Sequence, residues 1–188
     1  MDALVMCGGR GTRLLADVEK PLYEIGGVPM VESVLDALAA SCIEEVTCAV
    51  SPHTPATRAF LMNQSGAVLE TPGEGYVADL TDALDSLDQP VLTVTADLPL
   101  LVGSLIDDVL ARQPAGAATI CVPTSLKRVL GTSVDRAIED AGRRISPTGL
   151  NVVANAEQDT RVISYDARLA VNVNEPNDAD IAEVLACG

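Results

Sequence analysis

Lysine is nearly absent from this chain: 188 residues hold two, Lys20 and Lys127, beside a single histidine, His53, and no tryptophan. Twelve basic side chains face 27 acidic ones, a formal net charge of −15. Such a surface repels phosphodiester backbones and anionic lipid, which excludes nucleic acid as a partner and leaves the membrane, at most, for peripheral association. One histidine cannot build a metal cluster, and nothing else suggests a histidine-dependent triad. With one Phe and three Tyr the core must be aliphatic. The five cysteines (Cys7, Cys42, Cys48, Cys121 and Cys187) are odd in number and contain no Cys-x-x-Cys spacing. They read as reduced thiols of a cytoplasmic protein rather than disulfides or zinc ligands. No apolar run approaches the roughly 20 residues of a membrane span, and the N-terminus shows a charged residue and a strand rather than a signal-peptide pattern.

What is present is a core-forming chain. Apolar residues make up 48% of it, which excludes disorder, and its length fits one domain over residues 1–188. The acidic, lysine-poor composition predicts a halophilic protein whose self-repulsion is screened by salt. Against that background the opening segment stands out. Ala3 to Met6 reads as a buried strand that breaks into a loop with Gly8, Gly9, Arg10, Gly11, Thr12 and Arg13, followed by Glu19-Lys20-Pro21. Glycines let several backbone N–H groups approach one anion, and Arg10, Arg13 and Lys20 supply charge that phosphate oxygens can pair with. In so acidic a protein, gathered positive charge is what a nucleoside triphosphate needs. The spacing matches neither a Walker A loop nor a dinucleotide fingerprint, so a plain tight turn is the duller alternative.

Strand and helix patterns alternate along the rest. Residues 2–6, 46–50, 67–69, 91–95, 119–123, 150–153 and 169–173 read as strands. Helices are expected over about 29–41, 55–63, 77–87 and 177–186 and around Leu105, Ile106, Val109 and Leu110 behind a Gly-Ser start, with Thr54-Pro55 as N-cap and first-turn proline. The least patterned stretch, 124–148, reads as a loop or lid. This order predicts a three-layer α/β/α sandwich around a mostly parallel, Rossmann-like sheet.

Ligands of such sheets sit beyond the carboxyl ends of the strands. The glycine loop, Ser51, Asp97, Gly149-Leu150-Asn151 and Asn172-Val173-Asn174 all fall near predicted strand ends. Asp97 could cap the next segment, but its place opposite a basic loop suits a hard oxygen ligand for Mg²⁺. Asn172 and Asn174 alternate on their predicted strand, so only one can reach a shared site. Asn177 reads as a helix cap and His53 as a solvated loop residue.

Gly8 to Arg13 with Lys20-Pro21-Leu22, Asp97 and the segment Asn172 to Asp178 resemble the signature of nucleotidyltransferases that make nucleoside-diphosphate conjugates. The short gap between Arg13 and Lys20 is similar to two guanylyltransferase groups, one acting on molybdopterin and one in archaeal cobalamin synthesis. Val18 to Leu22, Ser51 to Pro55, Gly75 to Leu80 and Gly149 to Val153 resemble the second, the adenosylcobinamide-phosphate guanylyltransferases. One departure from the wider superfamily is that Lys20 follows Glu19 rather than proline. The resemblance implies transfer of GMP from GTP to a corrinoid phosphate with release of pyrophosphate. It implies Arg13, Lys20 and Asp97 as catalytic residues and Asp97 with Asn174 as Mg²⁺ ligands. The phosphates would lie on Gly8 to Arg13 and Lys20, guanine near Leu4, Met6, Ser51 and Gly75, and the acceptor or ribose near Gly149 and Asn151. A molybdopterin guanylyltransferase, a sugar-1-phosphate nucleotidyltransferase and a nucleotide-binding regulatory module without turnover are the rival readings.

Overall fold

A strand that is apolar on both sides belongs in the interior of a sheet with something packed on each face. β1 (Asp2–Met6) is such a strand: Ala3 and Val5 enter one core, Leu4 and Met6 another. The computed structural model describes residues 1–9, 11–14, 17–64, 66–112, 116–155 and 159–187. After β1 come a small ribbon of β2 (Glu24–Ile25) and β3 (Val28–Pro29), then α1 (Met30–Ala39), β4 (Val46–Val50), α2 (Pro55–Leu61), β5 (Ala67–Glu70), α3 (Tyr76–Leu84) and β6 (Val91–Thr95). The second half runs through α4 (Gly103–Arg112), β7 (Ala117–Pro123), α5 (Thr124–Leu130), β8 (Ile138–Asp140), β9 (Arg143–Val153), β10 (Asp159–Ile163) and α6 (Pro176–Ala186).

The main sheet has the order β10-β7-β9-β6-β1-β4-β5, with β8 added to β9. β6, β1, β4 and β5 are parallel, as are β10 and β7, while β9 runs antiparallel between β6 and β7. On one face Val34 and Leu38 of α1, Leu61 of α2 and Ile106 of α4 pack with Val5, Val50 and Val94. On the other, Ala83, Leu80 and Leu84 of α3 cover Leu4, Met6 and Val91. A third cluster seats Ala179 and Ala182 of α6 against Ile25, Met30, Val171 and Val173. The result is the expected three-layer, mostly parallel α/β/α fold.

Four local expectations are corrected. Residues 124–148 are not a lid: they form α5, β8 and the first part of β9. The expected strand 150–153 is only the end of β9, an antiparallel strand of 11 residues. Residues 169–173 are not a strand. Ala167–Ala170 is a 3-10 turn capped by Asp166, which accepts from Arg168 N at 2.9 Å, and the backbone of Val173 bonds Asp97 O at 3.0 Å instead of a strand neighbour. Leu169, Ala170, Val171 and Val173 are apolar because they are buried, and a short buried run does not declare its backbone conformation. Finally, α6 is capped by Glu175 in a reciprocal box with Asp178, not by Asn177, whose amide donates to Gly131 O at 2.9 Å.

Candidate active site

Because β1 and β6 are parallel neighbours, their carboxyl ends bring the glycine loop and Asp97 to one rim. A cleft of about 460 Å³ opens there, lined among others by Met6, Gly8, Gly9, Lys20, Gly75 and Asp97. At its base, Lys20 Nζ donates to Asp97 Oδ2 and to Asn174 Oδ1, both at 2.6 Å. Residues 154 positions apart thus meet on one ammonium.

Each member is held by identifiable neighbours. Lys20 opens a 3-10 turn, Lys20–Leu22. The preceding residue, Glu19, turns its carboxylate onto the start of α2, accepting from Ala56 N at 2.8 Å, Thr57 N at 2.7 Å and the Thr57 hydroxyl at 2.7 Å. The Thr54 side chain, expected to cap that helix, bonds Ser51 O at 3.2 Å instead. Gly11, at φ +60°, lies against the Lys20 side chain where a Cβ has no room. Asp97 Oδ1 accepts from Thr95 Oγ1 at 2.7 Å and from Asn172 Nδ2 at 3.4 Å, which leaves Oδ2 to Lys20. Asn174 is pinned through its backbone N–H, which donates to the buried Asp178 at 3.0 Å. Burial pushes the Asp97 carboxyl upward. The Lys20 ammonium, with the hydrogen bonds from Lys20, Thr95 and Asn172, more than offsets this and holds it below the usual carboxylate range.

Asn172 and Asn174 therefore both reach the cluster, against the expectation that only one could, because their segment is not a strand. Met6, Gly8, Gly9, Lys20, Gly75 and Asp97 all line the cleft. Ser51 lies beneath it, its hydroxyl donating to Gly8 O at 2.9 Å, and its Cβ would stand 3.1 Å from any Cβ at position 8. Thr12 is exposed on a 3-10 turn, Thr12–Leu14. Arg13 is 56% exposed and paired with Asp135, an interaction that raises its pKa. Arg10 lies outside the described residues. Three predicted contacts are not among the residues lining the cleft. Leu4 is wholly buried in the core beneath α3. Asn151 sits within the sheet opposite Thr93 and Thr119, because β9 runs antiparallel between β6 and β7. Gly149, at φ +87°, packs so closely on Thr95 Oγ1, which bonds Asp97, that no side chain fits there.

His53 is not a solvated loop residue: it is half-buried in the cleft wall with Nε2 3.1 Å from Gly73 O. Sequence reasoning also missed Tyr76 and Asp79 in that wall. Asp79 Oδ1 accepts from Gly73 N at 2.8 Å and Glu74 N at 3.2 Å, so it shapes the turn before α3. An acidic residue at the fourth position after Gly75 was the available signal.

The donor set suits a hard divalent cation. Asp97 Oδ2 and Asn174 Oδ1 already converge on one positive charge. Mg²⁺ takes oxygen ligands from one or two carboxylates and relies on substrate phosphates and water for the remainder. Among the described residues there is no group of three or more His, Cys, Asp or Glu that could hold an ion alone.

The glycine loop after the first strand, facing a Lys-Asp-Asn cluster across parallel strand ends, is the arrangement that the resemblance to nucleotidyltransferases implies. A solved putative glucose-1-phosphate thymidylyltransferase from Bacillus anthracis shares the fold, with a TM-score of 0.70 over 99% of this chain and 95% of that one at 12% identity. The chain belongs to the MobA-like NTP transferase family, whose domain model matches residues 3–132. Over 98% of its length it is 30% identical to the adenosylcobinamide-phosphate guanylyltransferase of Methanocaldococcus jannaschii, covering 97% of that protein. A 112-residue stretch is likewise 30% identical to the bifunctional protein GlmU of Streptococcus pyogenes, but spans only 27% of it.

Proposed function

We propose that this protein transfers GMP from GTP to adenosylcobinamide phosphate, giving adenosylcobinamide-GDP and pyrophosphate. The observation that carries this reading is the near full-length similarity to the Methanocaldococcus guanylyltransferase. The convergence of Lys20, Asp97 and Asn174 supports it. The acceptor phosphate is already anionic, so its attack on the α-phosphorus of GTP needs no strong general base. The obstacle is repulsion between anions followed by charge on departing pyrophosphate, which makes catalysis a matter of positioning and electrostatics.

In this reading Lys20 turns its ammonium from Asp97 and Asn174 to the α-phosphate and the incoming oxygen. Arg13 exchanges Asp135 for the β- and γ-phosphates, with Arg10 assisting. The backbone of Gly8, Gly9 and Gly11 receives the phosphates, and Met6 and Gly75 border the guanine. Asp97 and Asn174 hold Mg²⁺, which when bound neutralises charge on the phosphate oxygens. The setting is cytoplasmic. Pyrophosphate release from GTP, measured with adenosylcobinamide phosphate, with molybdopterin and without acceptor, tests the proposal. Release is expected with the corrinoid alone. Release with molybdopterin would support the second reading that the MobA-like family match favours, and none with either acceptor would refute turnover.

A further inference from the structure

The second of the two lysines is buried directly behind the cluster. Lys127, on α5, is 3% exposed. A buried ammonium ordinarily has a carboxylate beside it. Lys127 Nζ instead donates to two neutral oxygens, Ala170 O at 2.9 Å and Asn172 Oδ1 at 3.2 Å. Burial pulls its pKa down, while the more distant Asp178, Asp97 and Asp135 pull it up. Among the described residues the protein thus bears the cost of burying a charge without the compensation of an ion pair at that point.

Asn172 explains what the charge accomplishes. The two ends of a carboxamide have nearly the same shape, but one donates and the other accepts. Asn172 Nδ2 donates to Thr148 O at 2.6 Å and to Asp97 Oδ1 at 3.4 Å. Turned over, the amide would set its oxygen against both of those oxygens and its NH₂ against an ammonium. An ammonium has donors and no acceptor, so it admits only the Oδ1 end. We propose that Lys127 is a positioning residue for the transfer reaction, locking the Asn172 amide so that it holds Asp97 Oδ1 and aims Asp97 Oδ2 into the cleft. The inference rests on the reading of Asp97 as a metal ligand.

A double-mutant cycle tests it, using Lys127→Met, Asn172→Ala and the combination, with folding verified by circular dichroism. Mn²⁺ binding in the presence of GTP is read by electron paramagnetic resonance, and kcat and the GTP KM by pyrophosphate release. Lys127→Met is expected to weaken Mn²⁺ binding and lower kcat by about tenfold each, the range for groups behind a metal ligand, with the GTP KM within about twofold. Because Lys127 acts through Asn172, the double variant should be no worse than Asn172→Ala alone. Unchanged Mn²⁺ affinity in Lys127→Met, or losses that multiply in the double variant, would overturn the proposal. Should Lys127→Met fail to fold, Lys127→Gln keeps an N–H donor without a charge and runs the same cycle. It is expected to retain more Mn²⁺ affinity than Asn172→Ala and to add nothing to it, and a loss equal to or beyond Asn172→Ala overturns the idea. The binding measurement needs no acceptor, so a wild-type protein that binds Mn²⁺ with GTP but ignores cobinamide phosphate counts against the acceptor alone. Failure of the wild type to bind Mn²⁺ overturns the metal-ligand reading and this proposal together.

Discussion

On the proposed function, Lys20 stands where a divalent ion and a nucleotide phosphate would both lie, and its charge holds the half-buried Asp97 carboxyl below the usual carboxylate range. Lys20→Ala is expected to lower kcat for pyrophosphate release by about 10²–10³, the loss typical of one preorganised charge stabiliser. The same change should alter acid stability. In the wild type the Asp97 pKa is depressed, so its stabilisation is present above the unfolded value, about 3.9, and is lost as pH falls through the folded value. Removing Lys20 leaves burial opposed only by the hydrogen bonds from Thr95 and Asn172 and moves the folded value upward. The stability difference between wild type and Lys20→Ala should therefore be greatest above about pH 4, at about 2 kcal/mol, the low side for breaking a buried pair because the cleft admits water. It should shrink as the pH is lowered, a trend urea denaturation across pH would follow. Lys20 and Asp97 were legible because a lone lysine and a strand-end aspartate carry chemistry in their type. Asn172 was not, since assigning it to a face required a backbone conformation that the apolar pattern did not reveal.

At the scale of elements, the glycine loop and α2 are joined by a single carboxylate. Glu19 satisfies two N–H groups at the start of α2, a helix whose own N-cap side chain is engaged elsewhere, and an anion there also meets the positive end of the helix dipole. Glu19→Gln should cost about 1 kcal/mol by denaturant titration, within the usual range for a lost cap. It should also lower kcat by several-fold because Lys20 follows directly. Loss of stability with undiminished kcat would show that the cap and the lysine are independent. The exchange of proline for Glu19, a departure in the sequence pattern, thus has a structural reason that only long-range pairing exposes. Most elements could be read in advance, because α1, α3 and α4 are amphipathic and β1, β4 and β6 are short apolar runs with clear breaks. The antiparallel β9 could not: strand direction leaves no mark on the alternation of apolar residues, so the sequence did not show that Asn151 lies between β6 and β7.

Across the whole molecule, charge dominates. Outside residues 123–168, which hold seven of the twelve basic side chains, five basic residues face 21 acidic ones. Raising KCl from about 0.1 M to about 2 M should stabilise the fold by on the order of 1–2 kcal/mol through screening of that repulsion. A denaturation midpoint that stays level or falls would remove the halophilic reading. The meeting of Lys20 with Asn174 has a further consequence, in the order of synthesis. During translation the glycine loop, β1 and Asp97 exist long before Asn174 is made. The cluster at the base of the cleft can close only after Asn174 has left the ribosome. On the proposed function, a polypeptide that has not yet reached Asn174 carries the glycine loop without the Lys20–Asp97–Asn174 cluster.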